Sequence, residues 1–224
     1  MSVILNIDTS IETASVSIAR DGVIQSYLKN TIQKEHASFL HIAVKQLLTE
    51  SSLDIKQIDA VAVTNGPGSY TGLRVGLASA KGLCYAMNKP LITIGTLNAL
   101  AAAAIDTSAE PENSSALFCP MIDARRMEVY TAVFDKDLVE ILQPTAMILQ
   151  ENSFEQTLQK DRVLFFGNGS TKWKNISKSG NAGFIDDPDI TSAICKLSFE
   201  KFQGNNFTDL TYSEPLYIKD FFSP

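Results

Sequence analysis

Asn65-Gly66-Pro67-Gly68-Ser69-Tyr70-Thr71-Gly72-Leu73-Arg74-Val75-Gly76-Leu77-Ala78-Ser79-Ala80-Lys81-Gly82 decides how this chain is read. It follows the apolar run Val61-Ala62-Val63, which reads as a strand, and its Gly-Pro-Gly opening continues neither a strand nor a helix. Ser69 is placed to cap a helix that starts near Tyr70. Within that helix Gly72, Gly76 and Ala80 recur every four residues and therefore share one face. Each helical glycine costs roughly 1 kcal/mol relative to alanine, and Gly82 adds a third, so a compensating gain is required. A flat stripe without side chains admits another backbone at close range. The sequence therefore predicts that this helix is packed against along Gly72, Gly76 and Ala80.

The segments on either side alternate between strand and helix patterns. Residues 3–7 form a buried-strand run that ends at Asp8-Thr9-Ser10, and residues 14–19 and 23–28 are strands joined at the hairpin signal Asp21-Gly22. Residues 35–48 change to helical spacing, with Phe39, Leu40, Ala43, Leu47 and Leu48 at three- and four-residue steps. Strands follow at 58–63 and 91–94, and Thr96 opens a helix to 104. Residues 106–115, with Pro111, read as a boundary loop.

Beyond that boundary the opening of the chain recurs. Met121-Ile122-Asp123-Ala124-Arg125 echoes Asn6-Ile7-Asp8-Thr9-Ser10, and residues 128–134 alternate as residues 14–19 do. Asp135-Lys136-Asp137 occupies the turn position of Asp21-Gly22. A strand at 162–166 ends in Gly167-Asn168-Gly169-Ser170, and residues 191–202 have helical spacing. A duplicated α/β unit accounts for the echo. It places a first lobe over residues 1–105 and a smaller second lobe over 116–224, with the C-terminal segment packing back on the first.

Composition limits the function classes. With 224 residues, 45% hydrophobic and 20% charged, the chain has the make-up of a soluble globular protein with a proper core. A net charge of −6 without a Lys/Arg run argues against a protein that grips nucleic acid by itself. Cys84, Cys119 and Cys195 are isolated in apolar stretches, the pattern of reduced thiols in a cytoplasmic protein. The N-terminal residues lack the basic leader of a signal peptide, and no window reaches the roughly 20 apolar residues of a membrane span.

Few residues point to chemistry. Asp8-Thr9-Ser10 lies at a strand end, where its amides and hydroxyls can hold a phosphate or simply satisfy the turn, and Gly167-Asn168-Gly169 is a weaker case of the same choice. The Gly66–Gly76 run is not a P-loop, because Gly72 is followed by Leu73-Arg74 instead of Lys-Ser/Thr. His36 and His41, the only histidines, are five residues apart and do not share a helix face as a metal pair would, and His36 reads as a surface or capping residue. Arg125 and Arg126 read as a solvated turn pair able to meet a carboxylate or phosphate.

Five motifs in order carry a resemblance: Ile7-Asp8-Thr9-Ser10, Lys34-Glu35-His36, the Gly66–Gly76 run, Ile122-Asp123-Ala124-Arg125 and Glu214-Pro215-Leu216-Tyr217-Ile218-Lys219. Over residues 3–219 the chain resembles the TsaB (YeaZ) family of tRNA threonylcarbamoyladenosine (t6A) synthesis. The resemblance implies the actin/Hsp70/sugar-kinase-like (ASKHA) fold of two duplicated α/β lobes. The catalytic relatives, TsaD, carry a His-x-x-x-His metal pair at positions that fall here on Thr96 and Leu100, neither of which binds a metal as imidazole does. The implied role is that of a non-catalytic, cytoplasmic scaffold. It pairs with a TsaD-type subunit, is joined by a TsaE-type ATPase, and forms a homodimer when alone. Transfer of threonylcarbamoyl to adenosine 37 occurs in the complex, and tRNA is met only there.

Under this resemblance the partner-binding residues are Gly72, Gly76, Ala80, Tyr70, Arg74 and His36. Asp8, Thr9, Ser10, Gly167, Asn168 and Gly169 are the weak cofactor-binding candidates. No metal and no resident cofactor are expected, with ATP or ADP admitted only at the partner interface. The sequence stops at Pro224, where many relatives run on into a basic tail. Two other readings stay open: an ATP-binding phosphotransferase or hydrolase of the same fold using Asp8 and the Gly167 loop, and a structural homodimer without a tRNA role.

Overall fold

A computed structural model describes residues 1–32, 35–108 and 115–219. The chain divides into two compact units, Met1–Thr96 with Thr191–Leu216 and Leu97–Ile190 with Tyr217–Pro224. The first holds β1 (Val3–Asp8), β2 (Ala14–Arg20), β3 (Val23–Asn30), α1 (His36–Glu50), β4 (Ala60–Gly66), α2 (Tyr70–Met87) and β5 (Leu91–Gly95). Next comes α3 (Thr96–Thr107), then β6 (Leu117–Asp123), β7 (Glu128–Phe134), β8 (Glu140–Ile148), α4 (Glu155–Leu158), β9 (Val163–Phe166), α5 (Ser170–Lys174), β10 (Ala182–Phe184) and α6 (Thr191–Gln203). Lys34 and Pro111 lie outside the described residues.

The two sheets repeat one plan. The first runs β3-β2-β1-β4-β5 and the second β8-β7-β6-β9-β10. In each, an antiparallel three-strand meander is followed by two strands parallel to its first member. The echo between Asp8 and Asp123 is thus a repeat of topology as well as of sequence. The unit boundary differs from a cut at 105/116: α3 groups with the second unit from Leu97 onward, and α6 with the first.

In the first unit β1 is buried along its whole length because both faces are covered. Val3, Leu5 and Ile7 join Leu40, Ala43, Val44 and Leu47 of α1 and Leu77, Ala80 and Cys84 of α2 in one core. On the opposite face Asn6 accepts a hydrogen bond from Ser198 Oγ of α6 (2.6 Å), and Ser17 meets Cys195 Sγ at 3.3 Å. A strap after α6 covers the β5 edge, where Thr208 N–H donates to Leu91 O (2.8 Å), and reaches the end of β4, where Leu216 N–H donates to Asn65 O (2.7 Å). Lys81 Nζ donates to the carbonyls of Thr211 and Ser213. An edge strand covered in this way is withheld from pairing with other chains.

The second unit has the same sheet order with much shorter helices between β8, β9 and β10. Its core gathers Cys119, Met121, Val129, Val133, Phe165 and Trp173, with Phe154 edge-on to Phe165 and Trp173 at centroid separations of 5.2 and 5.4 Å. α4 and α5, which stand where α1 and α2 stand in the first unit, have four and five residues. All three cysteines are free and buried, and burial pushes their thiols up to about 11 (Cys84), 12 (Cys119) and 11 (Cys195). None is a thiolate nucleophile near neutral pH. Among the described residues no helix is long and apolar enough to cross a membrane.

Candidate functional site

Where β1 ends, the chain turns directly onto the start of α2. Ser69 caps that helix through its hydroxyl, which accepts from Gly72 N–H (3.3 Å). Thr9 Oγ1 donates to the Gly72 carbonyl (2.7 Å), and Ser69 N–H donates to Ser10 O (2.7 Å). Asp8 Oδ1 accepts three hydrogen bonds, from Ser10 N–H (2.9 Å), Ser10 Oγ (2.6 Å) and Thr64 Oγ1 (2.6 Å). Its other oxygen is buried with no partner among the described residues. Burial raises the Asp8 carboxyl above its ordinary range, against those hydrogen bonds and the charge of His36.

This geometry corrects the reading of the small-residue stripe. Gly72, Gly76 and Ala80 are buried against the chain's own β1–β4 layer, so they do not present a face to a second molecule. A Cβ built on Gly72 would overlap the Thr9 carbonyl oxygen, and one on Gly76 would overlap Thr9 Oγ1. The helix does exist to be packed against, and the neighbour is its own sheet. His36 is corrected too. It is 4% exposed, with ring Nε2 3.1 Å from Glu12 O, so it fastens the β1–β2 turn to α1 and is neither a surface nor a partner-contact residue in this structure.

The outward face of the same helices carries different residues. Thr71, Arg74, Ala78, Gly82 and Tyr85 follow one another along α2, all exposed, with Tyr85 at 82%. Arg74 lies over the Tyr70 ring, 4.0 Å from its centroid. On α1, Ile42 is 67% exposed, and His41 Nε2 meets Ser79 Oγ at 3.3 Å, tying the two helices. A Cβ on Gly82 would meet nothing within 4 Å. Of the residues named from the sequence as partner contacts, Arg74 and Tyr70 are exposed, while Gly72, Gly76, Ala80 and His36 are buried. Ile42 and Tyr85, out of phase with the core positions of their helices, are the apolar residues of this outward face.

A nucleotide is the ligand that the fold class implies, and the two turn loops do not fit its phosphates as folded. Asp8, Thr9 and Ser10 are each 1% exposed, and the Ser10 amide and the Thr9 and Ser10 hydroxyls donate inward. In the second unit Asn168 Oδ1 accepts from Asp123 N–H (2.8 Å), and Gly169 N–H donates to Met121 O (3.0 Å). Gly167 N–H donates to Asp187 Oδ1 (2.7 Å). Asp123 itself is paired with Lys172 (2.8 Å). Partial burial would raise its carboxyl, but the Lys172 hydrogen bond and charge, with the Arg125 amide, hold it below its ordinary range.

Thr96 and Leu100 stand one turn apart on α3, at 0% and 3% exposure. Among the described residues no group of three or more His, Cys, Asp or Glu side chains is arranged to hold a metal ion.

Two halves with one strand order, each opening on a strand, an aspartate and a turn, define a duplicated fold of the actin/Hsp70/sugar-kinase class. Comparison with known proteins narrows the class. A family model described as "TsaD: tRNA N6-adenosine threonylcarbamoyltransferase" matches residues 24–208. The "tRNA threonylcarbamoyladenosine biosynthesis protein TsaB" of Bacillus subtilis is 32% identical over 188 residues, which cover 81% of this chain and 79% of that protein. The Escherichia coli protein of the same name is 27% identical, covering 97% and 94%. A crystal structure from Pseudomonas aeruginosa, an uncharacterized protein with similarity to peptidase YEAZ, superposes with a TM-score of 0.83 at 21% identity, covering 98% of this chain and all of that one. The chain belongs to the TsaB proteins within this threonylcarbamoyltransferase family.

Proposed function

We propose that this chain is a non-catalytic subunit in the formation of t6A at adenosine 37 of tRNA, a scaffold and activator of a TsaD-type catalytic subunit that works together with a TsaE-type ATPase. The observation that carries the reading is the pair Thr96 and Leu100. By the family resemblance they fall where the catalytic relatives carry a metal-binding histidine pair, and a buried hydroxyl and an alkyl group supply no imidazole to a metal. With no activated thiol either, what such a chain offers a reaction is a surface.

The surface that suits a partner helix is the outward side of α1 and α2, around Ile42, Ala78, Gly82 and Tyr85. Exposed aromatic and aliphatic anchors next to a bare helix face allow close approach and desolvation. The isolated chain, with this face uncovered, is expected to pair with itself there. Co-purification with the TsaD-type protein of the same organism tests the reading directly. Failure of the two to associate at micromolar concentration overturns it. Gly82→Leu is expected to leave the melting temperature unchanged or slightly raised, since glycine gives way to a better helix former in open space. The same variant should weaken association about ten- to a hundredfold, measured by titration calorimetry.

A second expectation concerns activity. The purified chain with tRNA, threonylcarbamoyl-adenylate and divalent metal should give no modified nucleoside, and turnover by the chain alone would refute the non-catalytic assignment. Its own affinity for tRNA at physiological salt is expected to be weak, given the net charge of −6.

A further inference from the structure

The duplicated fold has two equivalent turns, and the chain treats them in opposite ways. At the end of β1, Asp8 Oδ1 accepts from the amide two residues on, and at the end of β6, Asp123 Oδ1 does the same with Arg125 N–H (2.6 Å). The first turn is sealed beneath the start of α2. The second meets Asn168 and Lys172 through Asp123, and its Arg125 and Arg126 stand exposed. Both arginines hold positive φ, 70° and 48°, a conformation that glycine or asparagine adopts more readily.

The charges around this tip are already assigned. Asp123 is paired with Lys172 (2.8 Å), and the Glu128 carboxylate receives Lys219 Nζ on both oxygens (3.0 and 2.9 Å). Two acids are matched by two lysines, and among the described residues neither guanidinium has an ion-pair partner. On a chain of net charge −6 the hairpin tip therefore carries two uncompensated positive charges. Guanidinium groups match phosphate oxygens as two-pronged donors, and adjacent arginines can reach successive groups of a polyanion.

We propose that the Arg125–Arg126 tip of the β6–β7 hairpin is a phosphodiester contact through which this chain touches the tRNA backbone in the assembled complex. The choice of RNA over an acidic protein surface rests on the reading of the chain as a subunit in tRNA modification. At physiological salt two contacts do not hold RNA against the acidic remainder of the chain, so there the tip acts once a partner supplies most of the affinity.

The test compares the wild type with Arg125→Ala/Arg126→Ala in the complex with the TsaD-type subunit, by anisotropy of labelled tRNA across a salt series. The double variant is expected to bind about tenfold more weakly, with the log–log salt slope shallower by roughly one to two units. Arg125→Lys/Arg126→Lys should recover the slope but only part of the affinity, because the charge returns without the fork. Partner association and melting should not change. Unchanged tRNA affinity overturns the proposal, and so does loss of partner association with tRNA affinity intact, which would assign the tip to a protein. If the chain and the TsaD-type subunit never associate, the functional reading fails separately. The tip is then decided on the chain alone at about 50 mM salt, where weak tRNA binding by the wild type should vanish in the alanine variant. Equal binding, or none, by the two chains there is the refuting result.

Discussion

Gly72→Leu should prevent the first unit from folding. Its side chain would have to occupy the position of the Thr9 carbonyl, which is backbone and belongs to the turn that ends β1. Overpacking a core typically costs about 1–3 kcal/mol when side chains can yield, and here no side chain is available to yield. Against a total stability of about 5–15 kcal/mol for a typical domain, a backbone displacement at the junction of β1, β4 and α2 is enough to abolish the native state. Insoluble expression or a far-ultraviolet spectrum without a cooperative melt is the expected result. Gly76→Leu should follow it, through Thr9 Oγ1 and Val63. The contrast with Gly82→Leu on the same helix is the informative part. One glycine is required by contact with the protein's own turn, and the other has open space in front of it. A native melt for Gly72→Leu would mean that the turn at Thr9 can move off the helix.

Asp8→Ala is the second variant with a large expected loss. It removes the acceptor of three buried hydrogen bonds and leaves the Ser10 amide, the Ser10 hydroxyl and the Thr64 hydroxyl short of a partner. Orphaned buried donors cost about 1–3 kcal/mol each, and relief of the buried carboxyl offsets part of that, so a net loss of about 2–4 kcal/mol is expected in urea denaturation. Asp8→Asn separates hydrogen bonding from charge, since it keeps the Oδ1 acceptor. The carboxyl is raised by burial in the folded state above its ordinary 3.8, so the folded protein holds that proton more tightly than the unfolded chain. Stability from this group is therefore fully present below pH 3.8 and declines as pH rises through the folded value. The asparagine variant lacks that decline and should gain on the wild type as pH increases. Parallel stability–pH curves for the two proteins would show that Asp8 is ionised in the native state at no cost.

Much of this was legible in the residues. The near-continuous apolar run of β1, the Asp21-Gly22 hairpin, the Ser69 cap and the recurrence of strand–Asp–turn at Asp123 are local signals, and each has its element in the structure. The direction in which the Gly72–Gly76–Ala80 face points was not legible, because periodicity reports that a face is special without saying what lies opposite. Thr9, the residue lying opposite, is 63 positions away from Gly72 in the chain. His36 misled for a similar reason: a histidine at a helix start looks exposed until the turn around Glu12 is laid over it. The pairing of Asp123 with Lys172 and of Glu128 with Lys219 likewise joins residues that no spacing rule connects.

The exchange of third helices between the two units sets a timetable for synthesis. β1, β2, β4 and β5 are all made by residue 95, yet the helix that covers Asn6 and Ser17 begins only at Thr191. At about 5–20 residues per second a ribosome needs roughly 5–20 s to bridge that gap, during which one side of a finished sheet faces solvent. The first half is thus the last to be completed. A nascent chain stalled before Thr191 should be held by chaperones or aggregate, and release of the strap after α6 should be the step at which the protein becomes resistant to protease.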